Sequence, residues 1–446
     1  MKFVYADSLD YVDPNYDFLE DRFGPDREPY WDDRFAHEIF ASAPYDGLLV
    51  SRSIVGDHKK CGKYTESQSM RFRRVGARAF LRYPEEKFPG SMMMGDCGAF
   101  AYHKLDEPPY SAEDMVEFYG DGLFTHGCSV DHVIFDFFRD EIVPHDAEDR
   151  IETNQRRFEI TQQNAAEFHA VSERLGNHFT PLGVIQGWSP NSMAAAAKNL
   201  VEMGYDYLAV GGMVPLRSPQ IQMALRAIRA AIGNEIRLHI LGFAKAEQIA
   251  EFTEFNLTSF DTTSPLIRAF KDARNNYYAV KPEGGLAYYT ALRIPQAIEN
   301  NTLKDLAKSG IYSQEDLQAR ERTALDTLRA FDRGEAETRD ALDAVMAYTA
   351  PLAIERDEGH TEKEKRALEL IKERYVRTLE ARPWQKCDCA ICQQAGVEVI
   401  IFRASNRNKR RGMHNLQAYR HHLDRMKGLS ANGLLFDVQS YSSAAE

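Results

Sequence analysis

From about residue 45 to 265 short apolar runs alternate with amphipathic stretches, and this alternation constrains the fold more than any single motif. The runs are Gly47-Leu48-Leu49-Val50-Ser51, Ser91-Met92-Met93-Met94, His132-Val133-Ile134-Phe135, Leu182-Gly183-Val184-Ile185, Tyr207-Leu208-Ala209-Val210, Leu238-His239-Ile240-Leu241 and Leu257-Thr258-Ser259-Phe260. Helical patterns cover Asn154 to Leu175, Ser192 to Met203, Pro219 to Ile232 and Lys245 to Phe252. Such βα order, with near-continuous apolar strands, buries both faces of a parallel sheet. The ends of the runs deliver Asp96, Asp136, Gln186, Gly211-Gly212, Gly242 and Asp261. In a (β/α)8 barrel, functional groups project from the C-terminal strand ends into one mouth. A doubly wound sheet more often sets a glycine-rich phosphate loop behind its first strand. Neither G-x-G-x-x-G nor a Walker A pattern occurs, which disfavours a nucleotide-cofactor enzyme. The expected architecture is α/β, a TIM-like (β/α)8 barrel over residues 1–300.

Beyond residue 300 the texture changes. Ser313 with Asp316, and Thr361 with Glu364, sit at capping-box spacing ahead of charged helical sequence. Leu368, Ile371, Tyr375 and Leu379 recur at helical spacing and read as a packing stripe. Residues 301–380 are therefore expected to form a helical insertion, and 381–446 a zinc-binding subdomain with a C-terminal helix. Three of six cysteines, Cys387, Cys389 and Cys392, fall within six residues, and His414 follows. A tetrahedral Cys3His zinc site is the economical reading. Four protein ligands leave no open position for water, so the zinc is expected to be structural. Cys61, Cys97 and Cys128 are scattered and outline no disulfide framework, as in a reducing compartment. No run approaches the roughly 18 apolar residues of a membrane span. The N-terminus lacks a signal-peptide core, so cytoplasm is the expected location and no membrane partner is expected.

The net charge of −12 argues against a surface coated in base for nucleic acid. Acid concentrates early, as in Asp17-Phe18-Leu19-Glu20-Asp21, and base late, from Arg403 to Lys427. Arg407, Lys409, Arg410 and Arg411 lie beside the cysteine cluster and are the expected phosphate contacts, with a plain solvated face as the competing reading. The tail Ser442-Ser443-Ala444-Ala445-Glu446 reads as frayed.

A mouth shared by the strand ends would hold three aspartates, a glutamine amide, a Gly-Gly backbone and an aromatic, Phe100 or Phe260. Two carboxylates in different roles suit exchange at a glycosidic carbon, one attacking the sugar and one handling the proton. A further aspartate with a glutamine can read the edge of a flat heterocycle, and Gly-Gly lets backbone approach it. A helix N-cap is the competing reading for each aspartate alone.

The chain resembles the tRNA-guanine transglycosylases over about residues 90 to 270 and 384 to 425. Gly95-Asp96-Cys97-Gly98-Ala99-Phe100 is similar to the family's D-S-G-G-F segment, Phe135-Asp136 to its base-recognition F-D, and Gln186-Gly187 to its recognition glutamine. Ala209-Val210-Gly211-Gly212 is similar to its A-V-G-G loop, Ser259-Phe260-Asp261 to its nucleophile motif, and the C-x-C-x-x-C and His414-Asn415-Leu416 end to its zinc segment. The resemblance implies a pentosyltransferase with Asp261 as nucleophile and Asp96 as general acid/base, Asp136, Gln186, Gly211, Gly212, Phe100 and Met213 around the base, and zinc as the one cofactor.

The family's Gly-Gly-Phe-Gln is here Gly98-Ala99-Phe100-Ala101, which removes a glutamine contact. Met213-Val214-Pro215-Leu216 follows Gly-Gly where queuosine enzymes carry a glutamate. This run is similar to the archaeal branch that inserts 7-cyano-7-deazaguanine (preQ0), a neutral nitrile that needs no carboxylate. Lys2 to Pro14 and Pro44 to Ser51 resemble the DpdA-type DNA-guanine transglycosylases, which replace guanine in DNA with preQ0. DNA, preQ0 and guanine are thus the implied partners, with further proteins of a DNA-modification system conceivable. The alternatives are an archaeal-type enzyme placing preQ0 in tRNA, and a non-catalytic nucleic-acid-binding protein on the same fold.

Overall fold

The computed structural model describes residues 1–57, 62–139, 148–243, 245–353 and 361–431; Cys61 and the tail Ser442 to Glu446 lie outside them. The chain divides into two compact units, Met1–Leu9 with Tyr45–Ser264, and Asp10–Pro44 with the chain from Pro265 onward.

The first unit is a closed barrel of eight parallel strands. In chain order they are β1 (Lys2–Ala6), β2 (Gly47–Ser51), β3 (Met92–Asp96), β4 (His126–Cys128), β5 (Thr180–Ile185), β6 (Tyr207–Val210), β7 (Arg237–Ile240) and β8 (Ser259–Asp261). Each pairs with its neighbours in sequence, and β1 closes the ring by pairing with both β2 (Val4 opposite Gly47) and β8 (Val4 opposite Asp261). Alternate residues face inward, so Val4, Leu49, Met92, Met94, Cys128, Leu182, Val184, Tyr207 and Ala209 form one buried cluster. Outside, the helix Pro190–Glu202 buries Met193, Ala196, Ala197 and Leu200, and the helix Ser218–Ile232 buries Ile221, Ala224, Leu225 and Ile228. This i, i+3, i+4, i+7 stripe is what an amphipathic cover needs.

Two strands differ from the sequence-based reading. The run His132 to Phe135 is not a strand; β4 lies earlier, at His126–Cys128. Its centre is Gly127, where a Cβ would collide with Tyr119 and Phe179, so close ring packing replaces the apolar side chains that mark a strand. His132 to Phe135 is loop, and two of its amides donate to side chains: His132 N–H to Thr161 Oγ1 at 3.0 Å and Ile134 N–H to Gln186 Oε1 at 3.1 Å. The eighth strand is β1, a short run absent from the seven apolar segments.

In the second unit Tyr277–Val280 and Leu286–Tyr289 form an antiparallel hairpin, and Leu292–Arg293 pairs in parallel with Ile401–Phe402. Helices at Asn301–Lys308, Gln314–Asp332, Thr338–Leu352, Glu362–Ala381 and Ala390–Ala395 follow among the described residues, and a long helix spans Ser405–Ala431. Ser313 and Thr361 cap two of them, accepting from Asp316 N–H and Glu364 N–H. Tyr375 and Leu379 are buried and Leu368 and Ile371 half-buried, so the stripe packs.

The early acid and late base meet inside this unit. Arg403 pairs with Asp21 and, at 2.6 Å, with Glu321; Arg407 pairs with Asp21 and, at 2.7 Å, with Glu398; Arg329 pairs with Glu398 at 2.8 Å. Three guanidinium groups are balanced by three carboxylates, which is the condition for burying charge. The expected phosphate patch is therefore absent at these positions. Arg407, Arg410 and Arg411 are each at most 1% exposed. Arg410 donates to Asn406, Gln394 and the Asp13 carbonyl; Arg411 donates to Asn408 and to the carbonyls of Val399, Ile401 and Ala269. Burial pushes Arg411 down to about 9. Lys409 turns to the Tyr11 carbonyl at 3.4 Å and lies over its ring. A helical run of base identifies cations, and their partners lay hundreds of residues away in sequence.

Candidate active site and metal centre

The C-terminal ends of the barrel strands bring together Asp96 from β3, Gln186 after β5, Gly211 and Gly212 after β6, Gly242 after β7 and Asp261 from β8. Asp261 is buried, and its Oδ1 accepts from His239 Nε2 at 3.1 Å and from Gly242 N–H at 2.9 Å. Among the described residues no hydrogen bond is directed at its Oδ2. Behind it, His239 Nδ1 lies 2.5 Å from Ser259 Oγ, which lies 2.6 Å from Tyr207 Oη. The hydrogen-bonded chain Tyr207, Ser259, His239, Asp261 holds the imidazole in place and aims the carboxylate.

Asp96 differs in protonation. Burial first, then the neighbouring charges of Asp261 and Asp131, raise its pKa to about 7, against the opposing hydrogen bonds from Ser51 and the Gly98 amide. Its Oδ1 is enclosed without a hydrogen-bond partner among the described residues. Gly98 has φ +77°, and a Cβ there would strike Ser51 and Ser53. The turn after β3 thus requires glycine, and it delivers an amide to the acid.

Asp136 is not drawn into this group. Its carboxylate is half-buried and accepts from Arg150 Nη1 and Asn154 Nδ2, each at 2.9 Å. The position at the end of β4 belongs to Asp131, which sequence reasoning missed. Asp131 Oδ2 accepts from Gln186 Nε2 at 2.6 Å and Oδ1 from Cys97 Sγ at 3.1 Å, while Tyr102 Oη donates to the Asp131 carbonyl at 2.9 Å. Once the strand is set at His126–Cys128, Val130-Asp131 repeats the apolar-then-Asp ending of Phe260-Asp261. Reading His132 to Phe135 as the strand moved the aspartate five residues too far. His239 was missed for another reason: it sits within an apolar run and looks like core.

Gly211 and Gly212 are explained by the same pair. A Cβ on Gly211 would collide with the Gln186 amide, and Gly212, at φ +73°, passes the Ile134 carbonyl closely. Met213 is buried, whereas Phe100 is 48% exposed with its ring 5.6 Å from that of Phe135. A large exposed aromatic at a barrel mouth offers a stacking face.

In the second unit the ligand atoms of Cys387, Cys389, Cys392 and His414 all lie within 4.8 Å of one another. The three sulfurs stand 3.6, 3.3 and 3.3 Å from His414 Nδ1. Metal–sulfur bonds of about 2.3 Å and metal–nitrogen bonds of about 2.0 Å at a tetrahedral ion imply sulfur-to-nitrogen separations of about 3.5 Å. The residues therefore fit such an ion. His414 Nε2 donates to the Tyr278 carbonyl at 2.7 Å, leaving Nδ1 for the metal.

No family model matches the chain. A protein of Salmonella montevideo named DNA-guanine transglycosylase is 39% identical over 425 residues, covering 94% of this chain and 95% of that protein. Barrel, carboxylate mouth and this likeness make the chain a pentosyltransferase. It belongs to the DNA-guanine transglycosylases, a branch of the tRNA-guanine transglycosylase family.

Proposed function

We propose that this chain exchanges guanine in DNA for 7-cyano-7-deazaguanine through a covalent aspartyl-glycosyl intermediate. The observation that carries this reading is the pair of unlike carboxyls in one mouth, Asp261 anchored through one oxygen and Asp96 near half-protonation at neutral pH. A stacked duplex hides C1′ and the base edge together, so the target nucleotide is extruded into the mouth. Asp261 Oδ2 attacks C1′, the bond to guanine N9 breaks, and protonated Asp96 gives its proton to the departing base. Guanine leaves, the incoming base enters, and Asp96 takes back a proton from its N9. That nitrogen attacks C1′ and releases Asp261, so two displacements restore the anomeric configuration and the proton count closes. No redox or nucleotide cofactor is required.

Asp131 and Gln186 replace the expected Asp136 and Gln186 as the pair for the base edge. A carboxylate has about four acceptor sites and a primary amide two donors, so each retains capacity after their mutual bond. Phe100 supplies the stacking face. Apolar Met213 after Gly-Gly favours the neutral nitrile over an aminomethyl base, which would want a carboxylate. Zinc is the proposed metal, on the softness of three thiolates and one imidazole, in a structural role.

Purified Asp261→Asn, incubated with DNA and labelled 7-cyano-7-deazaguanine, is expected to lose roughly a thousandfold or more of incorporation. Near wild-type labelling would remove the nucleophile assignment. Wild-type protein given tRNA and plasmid DNA in parallel tests the polymer, and label in tRNA alone would overturn the DNA reading. A covalent adduct trapped with wild-type protein separates the enzyme from a non-catalytic binder.

A further inference from the structure

The second unit holds Arg403, Arg407, Arg410 and Arg411 inward, so these four are not open to a polyanion. Arg274, Arg293 and Arg374 line one groove of about 290 Å³, together with Ala291, Ile371, Tyr375 and Phe402. None of the three guanidinium groups has a carboxylate within ion-pair distance among the described residues, in contrast to Arg329, Arg403 and Arg407. Arg274 and Arg293 are exposed and Arg374 is half-buried.

The three arginines come from separate elements whose backbones are knitted together. Arg274 follows the helix Ser264–Lys271, where Asp272 accepts its N–H at 2.7 Å and Thr290 Oγ1 donates to its carbonyl at 2.5 Å. Arg293 lies on the strand Leu292–Arg293, and its N–H donates to Tyr375 Oη at 3.0 Å. Arg374 lies one residue before that tyrosine on the helix Glu362–Ala381, and Thr378 Oγ1 from the same helix donates to the Thr290 carbonyl at 2.9 Å. Like charges held together repel, and an anion in the groove would relieve that repulsion. Guanidinium forks match phosphate oxygens in geometry, and an apolar floor of Ala291, Ile371 and Tyr375 strengthens the attraction by lowering the local dielectric. On a chain of net charge −12 such a groove is a local exception that a polyanion can find.

We propose that Arg274, Arg293 and Arg374 bind backbone phosphates of the DNA substrate. This rests on the DNA reading above. The test uses the full chain, with fluorescence polarisation on a labelled duplex across a salt series and base exchange measured in parallel. The triple variant Arg274→Gln, Arg293→Gln, Arg374→Gln, checked by its melting temperature, is expected to bind DNA at least tenfold more weakly. Its log affinity against log salt should be shallower by about 0.9 for each phosphate lost. Exchange at saturating DNA should keep its wild-type rate. The triple lysine variant should retain the salt slope. An unchanged affinity and slope in the glutamine variant would overturn the proposal, as would weakened binding to tRNA with none to DNA. Failure of the underlying DNA reading shows separately, as wild-type protein that labels no DNA.

Discussion

Asp96 retains its proton to about pH 7 because it is enclosed beside two other carboxyls. A carboxyl with a raised folded-state pKa destabilises the fold as pH climbs. Below pH 4 both states are protonated and nothing is lost. Between about 4 and 7 only the unfolded chain gives up its proton, and stability falls; above 7 the loss is constant. Asp96→Asn should therefore be more stable than wild type at pH 8, by roughly 4 kcal/mol, and melt at higher temperature there, with little difference at pH 4. The same variant should have lost base exchange, and the wild-type rate should peak near pH 7, since one group must donate in the first half and accept in the second. Thermal melts and rate profiles over pH 4–9 check both. Asp261 and Asp96 were legible in sequence because each ends an apolar strand. His239 was not, because a buried histidine in a strand looks like core until its Nε2 is seen facing Asp261.

The elements repeat this contrast. Strands β2, β5 and β6 are plain in sequence because covered parallel strands are continuous apolar runs, whereas β4 has a glycine at its centre and announces itself only through the ring that covers it. The shift of one element explains why Asp131 was passed over for Asp136. The Cys3His motif was legible because metal ligands are counted by type and spacing, and no competing partner needs to be known. Cys389→Ala, or removal of metal by a chelator, should lower the melting temperature and abolish DNA binding together, as read by calorimetry and polarisation. A variant that stays folded and binds DNA normally but loses only exchange would contradict a structural ion. The helices between Asn301 and Ala381 were legible as helices, and their purpose was not. Glu321, Arg329 and Asp332 on Gln314–Asp332 supply part of the buried ion network and the acceptor for Trp384 Nε1 at 2.7 Å.

At the scale of the whole molecule, charge asymmetry along the sequence was visible and its meaning was not. Acid near residue 20 and base near residue 405 suggested a field directed outward, and they neutralise each other within one unit. Composition cannot distinguish these outcomes, since both have the same residues; only the distant pairing does. The chain passes through the two units in the order barrel, second unit, barrel, second unit. During synthesis, β1 must wait for β8 before the ring can close, and the segment Asp10–Pro44 must wait longer still. Asp21 leaves the ribosome some 380 residues ahead of the arginines that neutralise it. A fragment ending at Ser264 should therefore contain all eight strands and still expose residues 10–44 to limited proteolysis, whereas the full chain should protect them. The long wait between β1 and its last partners makes this a slow, late-closing fold whose earliest-made segment is the last to find its place.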